Sequence, residues 1–422
     1  MLGRANQTLD DLVRGTPPTR DRYVDFLRAA SILVVVVGHW IMLLIIWDPG
    51  VIRSISAIGR VPWAWLLTWL LQVMPVFFFV GGYANYVAFQ SSRRRGESVT
   101  RFIRARTRRL LAPSLVFLGV WAVIQIALHV GDLAEPTAWQ WGEVTLLRGV
   151  RPPGQTIPFG PLWFLLVYLV VVVASPLTIA LHQRYRWWVI GVMVAGAAVV
   201  DLIGLIGGHP LARFLNVAFV FFLPHQLGHF YADGTIGRWS RRVAPGMAAV
   251  GMTGLVALTN PWLFRPFGDV RFEWFPRSGH YPRSLLGTDV GEISNAYPPT
   301  LIYLLVGVWL IGLALLARPL LEAWLTRPGP WRATVAVNSR IMTLFLWHMT
   351  AYLIAILALW PLGFGRQQDP TLRWWAERPL WVLAPAAVLL VLVAIFGRYE
   401  VRGRIRRPAQ PSAGEPMQTE SA

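Results

Sequence analysis

Apolar runs of close to twenty residues recur from residue 27 almost to residue 397, and short stretches rich in arginine, proline and glycine separate them. A hydrocarbon core about 30 Å thick takes roughly 20 apolar residues of helix to cross. Runs and breakers together place spans near 27–47, 63–89, 110–130, 159–181, 187–206, 211–231, 244–260, 299–317, 341–360 and 380–397. The pattern predicts an all-α, polytopic membrane bundle of ten helices with both termini on one side. The second span is long for a simple crossing, and Pro75 with Gly81-Gly82 predicts a kink or tilt there. On this reading residues 1–22 are a polar N-terminal segment, 23–400 the transmembrane domain, and 401–422 a tail whose Pro/Ser/Glu-containing end has the composition of disorder. Residues 1–22 also lack the short apolar region of a secretory signal, so the N-terminus is expected to stay where it was made.

Composition removes several classes. The chain is 55% hydrophobic and 14% charged with a mean hydropathy of +0.49, which argues against a water-soluble globule. With no cysteine there is no disulfide, thiolate metal site, iron–sulfur cluster or acyl-thioenzyme. The formal charge of +18 comes from 39 basic residues, all arginine. Basic residues flanking apolar spans read as topology signals and contacts with anionic lipid headgroups, so no nucleic-acid partner is inferred. The loops 1–28, 90–109, 182–186, 232–243, 318–340 and 398 onward hold 27 of those arginines, and the opposite set holds 12. The positive-inside rule makes the first set, with both termini, cytoplasmic.

Few ionisable residues fall at hydrocarbon depth, and each is by default a functional candidate. In RYVDFLRAASILVVVVGHWIMLLIIW, Arg28 and His39 are eleven positions apart. Eleven helical steps end about 20° from the starting direction and climb about 16 Å, so the two share a face with Arg28 at the edge and His39 near the midplane. Asp25 falls within about 40° of the same stripe. His39 is either a packing histidine held by hydrogen bonds or a base or acyl acceptor; imidazole suits acyl transfer because it takes a hydroxyl proton near neutrality. Asp25 and Arg28 read equally as a local ion pair. Arg106 and Arg109 are either topology determinants or, at i,i+3 spacing, a paired phosphate site. His348 is expected at a depth comparable to His39. Trp163 is an aromatic-belt residue or an acceptor-binding surface. His225 and His229 have the i,i+4 spacing of a shared metal site, but no third ligand follows from spacing and no metal is assigned. Asp201 reads as interfacial. The outer loop 261–298 either folds over an acceptor pocket or connects helices.

These residues carry a resemblance. The arginine, ten-residue gap and histidine of the first span resemble the signature of the acyltransferase-3 family, with Asp25 where that family often has an acid. MPVFFFVGGYAN (74–85), Arg106-x-x-Arg109 with LLAP, FGPLWFLLVYL (159–169) and NSRIMTLFLWHMTAY (338–352) resemble further family segments. The resemblance implies a ten-helix bundle of the bacterial inner membrane. It takes acyl groups, most often acetyl, from cytoplasmic acyl-CoA as co-substrate, with no bound cofactor. The acceptor would be a hydroxyl of a sugar, glycolipid, cell-envelope polymer or secondary metabolite. His39 would be catalytic, with Asp25 beside it; Arg28, Arg106 and Arg109 would bind the donor, and His348 and Trp163 would support substrate. Many relatives have a glutamate shortly after the Trp-Phe-Leu segment, where this chain has Val167-Tyr168, so no acid is assigned there.

Two other classes also place polar groups at the midplane. A transporter or flippase of an envelope precursor is weakened by the absence of a visible repeat between the halves. A membrane glycosyltransferase would present an acidic motif in an early outer loop, and 48–62 offers only Asp48. The arginine asymmetry itself is testable. Reporter fusions near Arg95 should be active only in the cytoplasm, and those within 131–158 only outside; a fusion near Arg95 active only outside overturns the arrangement.

Overall fold

The computed structural model describes residues 9–17, 20–48, 51–61, 63–130, 157–259, 281–286 and 294–401. The tail beyond 401 and most of the loops 131–158 and 261–298 lie outside the described residues. Among the described residues, ten helical segments are long and apolar enough to cross a membrane: Arg22–Met42, Trp65–Arg94, Val99–Ala127, Ile157–Tyr185, Trp187–Leu205, Pro210–Ala232, Arg241–Thr259, Leu301–Leu325, Ile341–Leu359 and Leu372–Arg398. They coincide one for one with the ten apolar runs, and the chain is a multi-pass, all-α membrane protein.

Helix α1 (Arg22–Met42) starts where the Asp21 side chain accepts from the Val24 amide, satisfying one of the free donors of a first turn. It buries Tyr23, Leu27, Ile32, Val36 and Trp40, a stripe at four- and five-residue intervals. The expected first span continued to residue 47. The helix instead ends at Met42, and Leu43–Asp48 (β1) pairs antiparallel with Val51–Ser56 (β2), Leu43 opposite Ser56 and Asp48 opposite Val51. Isoleucines on both strands favour the extended backbone there.

The expected kink from Pro75 and Gly81-Gly82 is instead a break in the span just before Pro75. Helix α2 (Trp65–Leu71) stops, and α3 (Met74–Arg94) restarts with Pro75 in its first turn, where a missing N–H removes nothing from the helix. Gly81 and Gly82 sit inside the continuous α3, and their service is close approach. Helix α4 (Val99–Val130) follows. A β-carbon on Gly82 would lie 1.9 Å from the His225 carbonyl oxygen, and one on Gly228 would lie 2.1 Å from that of Phe79. The backbones of α3 and the later helix carrying His225 thus touch with no side chain between them, as small residues allow in membranes.

The arginine-rich segment expected as loop is largely helical. Helix α3 closes on Gly96, whose φ of 70° lets its amide reach the Arg93 carbonyl while the Glu97 amide reaches that of Ser92. Helix α4 begins three residues later, so Arg101 to Arg109 ride on its first turns. The Arg95 and Ser92 side chains bond Glu97 and hold its carboxyl below the usual range.

The remaining helices are α5 (Leu162–Tyr185), α6 (Trp187–Asp201), α7 (Asn216–Ala232), α8 (Thr235–Thr259), α9 (Leu301–Leu325), α10 (Pro328–Ser339), α11 (Ile341–Leu359), α12 (Leu372–Ala376) and α13 (Arg378–Val401). Polar contacts separate into two ends. One end joins Asp21 to Tyr231 and Arg318, Arg332 to Asp10, and Arg186 to Asp233. The other joins Arg60 to Asp369, and the Arg378 guanidinium to the Ile41 carbonyl and the Trp374 ring. The two groups match the two loop sets read from the arginine count.

Glycine packing makes a stability prediction. Gly82→Ala should lower stability by about 1–3 kcal/mol, because the new methyl pushes two backbones apart. Gly191→Ala meets nothing within 4 Å and should be neutral or slightly stabilising. Thermal unfolding of both variants in detergent checks the pair, and equal melting temperatures contradict the close contact.

Candidate functional site

His39 and His348 are 309 residues apart in sequence and meet in the bundle, Nδ1 of His39 lying 2.9 Å from Nε2 of His348. Their rings are nearly parallel, 12° apart. His348 is fully buried, and its Nδ1 is 2.6 Å from the Phe345 carbonyl oxygen. A carbonyl only accepts, so that nitrogen carries the proton and Nε2 of neutral His348 is a lone pair. The His39 proton therefore sits on Nδ1 and donates to His348. His39 Nε2 is left as a lone pair, and no described side chain holds it. The Trp40 indole N–H donates to the His348 carbonyl at 3.1 Å, fixing α11 against α1 at this level. An oriented, neutral base backed by a second histidine is the arrangement that general-base or nucleophilic catalysis requires. Spacing placed both histidines at one depth; their direct contact it did not give.

Asp25 does not join them. It lies fourteen residues before His39 on the same helix, about 21 Å along the axis. There it is ion-paired with Arg20 and, at 3.1 Å, with Arg28. Arg28 is also held by its Nε, which donates to Asn338 Oδ1 at 2.6 Å, while the Asn338 amide donates to the Asp25 and Thr334 carbonyls. Helix α10 thus presents Arg28 through an asparagine that motif reading passed over.

Arg106 and Arg109 part company. Arg106 turns inward, its Nε and Nη2 donating to Asn85 Oδ1 at 3.0 and 2.6 Å. Arg109 is exposed. Arg106 and Arg28 come from α4 and α1 yet lie near enough for each guanidinium to feel the other's charge. Two like charges brought that near suit an anionic partner. Tyr168 stands where the family pattern led us to look for an acid, and its ring fits because Gly81 has no side chain to oppose it.

The other candidates lie apart. Trp163 packs edge-on against Phe164 and beside Phe221 at the start of α5. Asp201, expected at an interface, is a buried hub: Asn216, the Tyr281 hydroxyl and the Leu301 amide all donate to its carboxylate at 2.8 Å. His225 and His229 are fully buried in α7, and each gives one ring nitrogen to an amide side chain. Among the described residues no group of three or more histidines and carboxylates is placed to hold a metal ion.

A family model described as an acyltransferase domain matches residues 21–398, nearly the whole chain. No curated protein and no solved structure gives a match.

The geometry fixes a tautomer that can be read directly. Selective ¹⁵N-histidine NMR at neutral pH should show His39 protonated on Nδ1 and bare on Nε2, with assignment through the His39→Gln variant. A proton on Nε2 contradicts the relay.

Proposed function

The chain belongs to the acyltransferase-3 family of membrane acyltransferases, and from that premise we propose that it moves an acyl group, most often acetyl, from acyl-CoA to a hydroxyl acceptor through His39. Family membership makes it an acyltransferase and sets aside the carrier and glycosyltransferase alternatives. The observation that carries the reading is the hydrogen-bond relay from the Phe345 carbonyl through His348 to His39, which leaves one basic nitrogen free at the middle of the bundle.

In the proposed reaction the acceptor hydroxyl gives its proton to His39 Nε2 as its oxygen attacks the thioester carbonyl. The carbon–oxygen bond forms, the carbon–sulfur bond breaks, and the proton leaves with the CoA sulfur. His348 spreads the imidazolium charge through its bond to His39 Nδ1, as the supporting group of a catalytic triad does. The same nitrogen also suits a two-step route, with the acyl group resting on His39 before the acceptor arrives. Acceptors that fit are hydroxyls of a sugar, a glycolipid, a cell-envelope polymer or a secondary metabolite.

The donor arrives at the arginine end. CoA carries several phosphate charges, which suits the convergence of Arg28 and Arg106. Arg28 lies about 16 Å from His39 along α1, a span that an extended pantetheine arm bridges. Asp25 serves by holding Arg28, Arg109 offers a further exposed charge, and Trp163 an aromatic surface for the acceptor. The positive-inside rule supports a cytoplasmic side for this end and both termini, in keeping with a bacterial inner-membrane protein.

Purified protein in nanodiscs supplies the test, with release of free CoA thiol from acetyl-CoA as the readout. His39→Ala should bind CoA as the parent does and release none above background. Arg106→Ala should weaken CoA binding roughly ten- to a hundredfold, the loss of a charged hydrogen bond, with much of kcat spared. Raised salt should weaken donor binding in the parent. Near-parental turnover by a folded His39→Ala protein returns His39 to a packing role, and unchanged CoA affinity in Arg106→Ala removes the donor site from this face.

A further inference from the structure

A second chain of buried polar groups runs from Arg106 away from His39, and nothing in the acyl-transfer step uses it. Asn85 is fully buried and receives both Arg106 contacts on Oδ1. Arginine only donates, so the Asn85 amide orientation is fixed and its Nδ2 donates to His225 Nε2 at 3.1 Å. Neutral His225 therefore carries its proton on Nδ1. From the far end, the Asp233 carboxylate only accepts, so His182 Nε2 donates to it at 3.1 Å and His182 Nδ1 is a lone pair. Burial pushes the Asp233 carboxyl up, but bonds from Thr235 and His182 outweigh it and hold the group below the usual range, as an anion. Gln226 Nε2 donates to His182 Nδ1 at 2.9 Å, and Gln226 Oε1 accepts from His229 Nδ1 at 3.1 Å. His229 Nε2 is then a lone pair.

The two half-chains end on each other. Among the described residues, His225 Nδ1 is a buried donor with no partner and His229 Nε2 a buried acceptor with none. Their ring centroids are 4.7 Å apart with planes at 75°, and no direct hydrogen bond joins them. Each orphan in an apolar surround carries a desolvation cost of about 1–3 kcal/mol, and the neighbouring rings of Phe222 and Tyr86 lie edge-on or tilted to the pair. One molecule that both accepts and donates satisfies the two at once. We propose that a single water bridges His225 Nδ1 to His229 Nε2, closing a one-way hydrogen-bond chain from Asp233 to Arg106 that makes Asn85 and His225 positioning residues for the donor-binding guanidinium.

The chain explains why α3 and α7 touch. The Gly82–His225 backbone contact brings Asn85, one turn along α3, against the His225 ring. Every link then points from the cationic end to the anionic end, an order in which successive hydrogen bonds polarise one another. Arg106 is held in a single orientation although it must stay free to meet phosphate with its remaining donors.

This inference rests on the donor reading of Arg106, and the test separates the two. CoA is titrated onto the full-length protein in nanodiscs. His225→Leu removes both ring nitrogens and should weaken CoA affinity about two- to tenfold, the worth of one neutral hydrogen bond. His225→Gln keeps an acceptor and a donor and should restore parental affinity. If Arg106→Ala weakens binding while His225→Leu does not, the positioning chain is wrong and the donor site stands. If Arg106→Ala leaves affinity unchanged, the donor reading fails and the positioning role with it. Should His225→Leu not fold, the parent structure still decides the bridge at a resolution that shows waters. A peak about 2.8–3.0 Å from both nitrogens is expected; an empty gap or a direct nitrogen–nitrogen hydrogen bond overturns it.

Discussion

A hydrocarbon surround offers no hydrogen bonds, so every polar side chain that enters the span must find its partner inside the bundle. That constraint organises this protein. His39 is answered by His348, Arg28 by Asp25 and Asn338, Arg106 by Asn85, and Asp201 by Asn216, Tyr281 and the Leu301 amide. Apart from the local Asp25–Arg28 pair, these pairings join different helices or loops, so the polar residues that make chemistry available also specify which elements lie side by side. The energetic penalty of a polar group left alone in lipid does the work of selecting one arrangement.

Along α1 the constraint separates two tasks. Charge collects at one end, where Arg28 is paired with Asp25 and Arg106 is held by Asn85. Further along, His39 and His348 pair with each other, and among the described residues no carboxylate is hydrogen-bonded to either. In the proposed reaction, transition-state stabilisation at His39 and donor binding at Arg28 lie about 16 Å apart along one helix, a distance that a long, flexible donor spans. On that proposal, binding energy gained at the arginines is remote from the reacting carbonyl, which is how an enzyme spends affinity on orientation.

Ten spans were legible because twenty apolar residues in a row carry a strong signal, and each run coincides with a helix. The β-hairpin was not, since Leu43 to Trp47 is as apolar as the helix before it and only backbone pairing distinguishes them. Pro75 and Gly81-Gly82 were read together as one kink or tilt because they lie close in sequence; the structure uses the proline to restart a helix and the glycines to bring two backbones together. In the site, eleven-residue spacing put Arg28 and His39 on one stripe correctly, but the same geometry drew in Asp25, which is one face with His39 and far from it along the axis. Spacing also made Arg106 and Arg109 equivalent. What distinguishes them is Asn85 on a neighbouring helix, and a lone asparagine after a Gly-Gly-Tyr-Ala run gives no sequence signal of its partner.

The central claim is that His39 and His348 act as one unit, the second histidine fixing the proton of the first. A double-mutant cycle on thiol release from acetyl-CoA addresses it most directly, using His39→Gln, His348→Gln and the double variant, each checked for folding. If the unit is real, His348→Gln lowers turnover steeply while leaving CoA affinity intact, and adding it to His39→Gln costs nothing more. Turnover by His348→Gln equal to the parent, or losses that multiply in the double variant, would contradict the account.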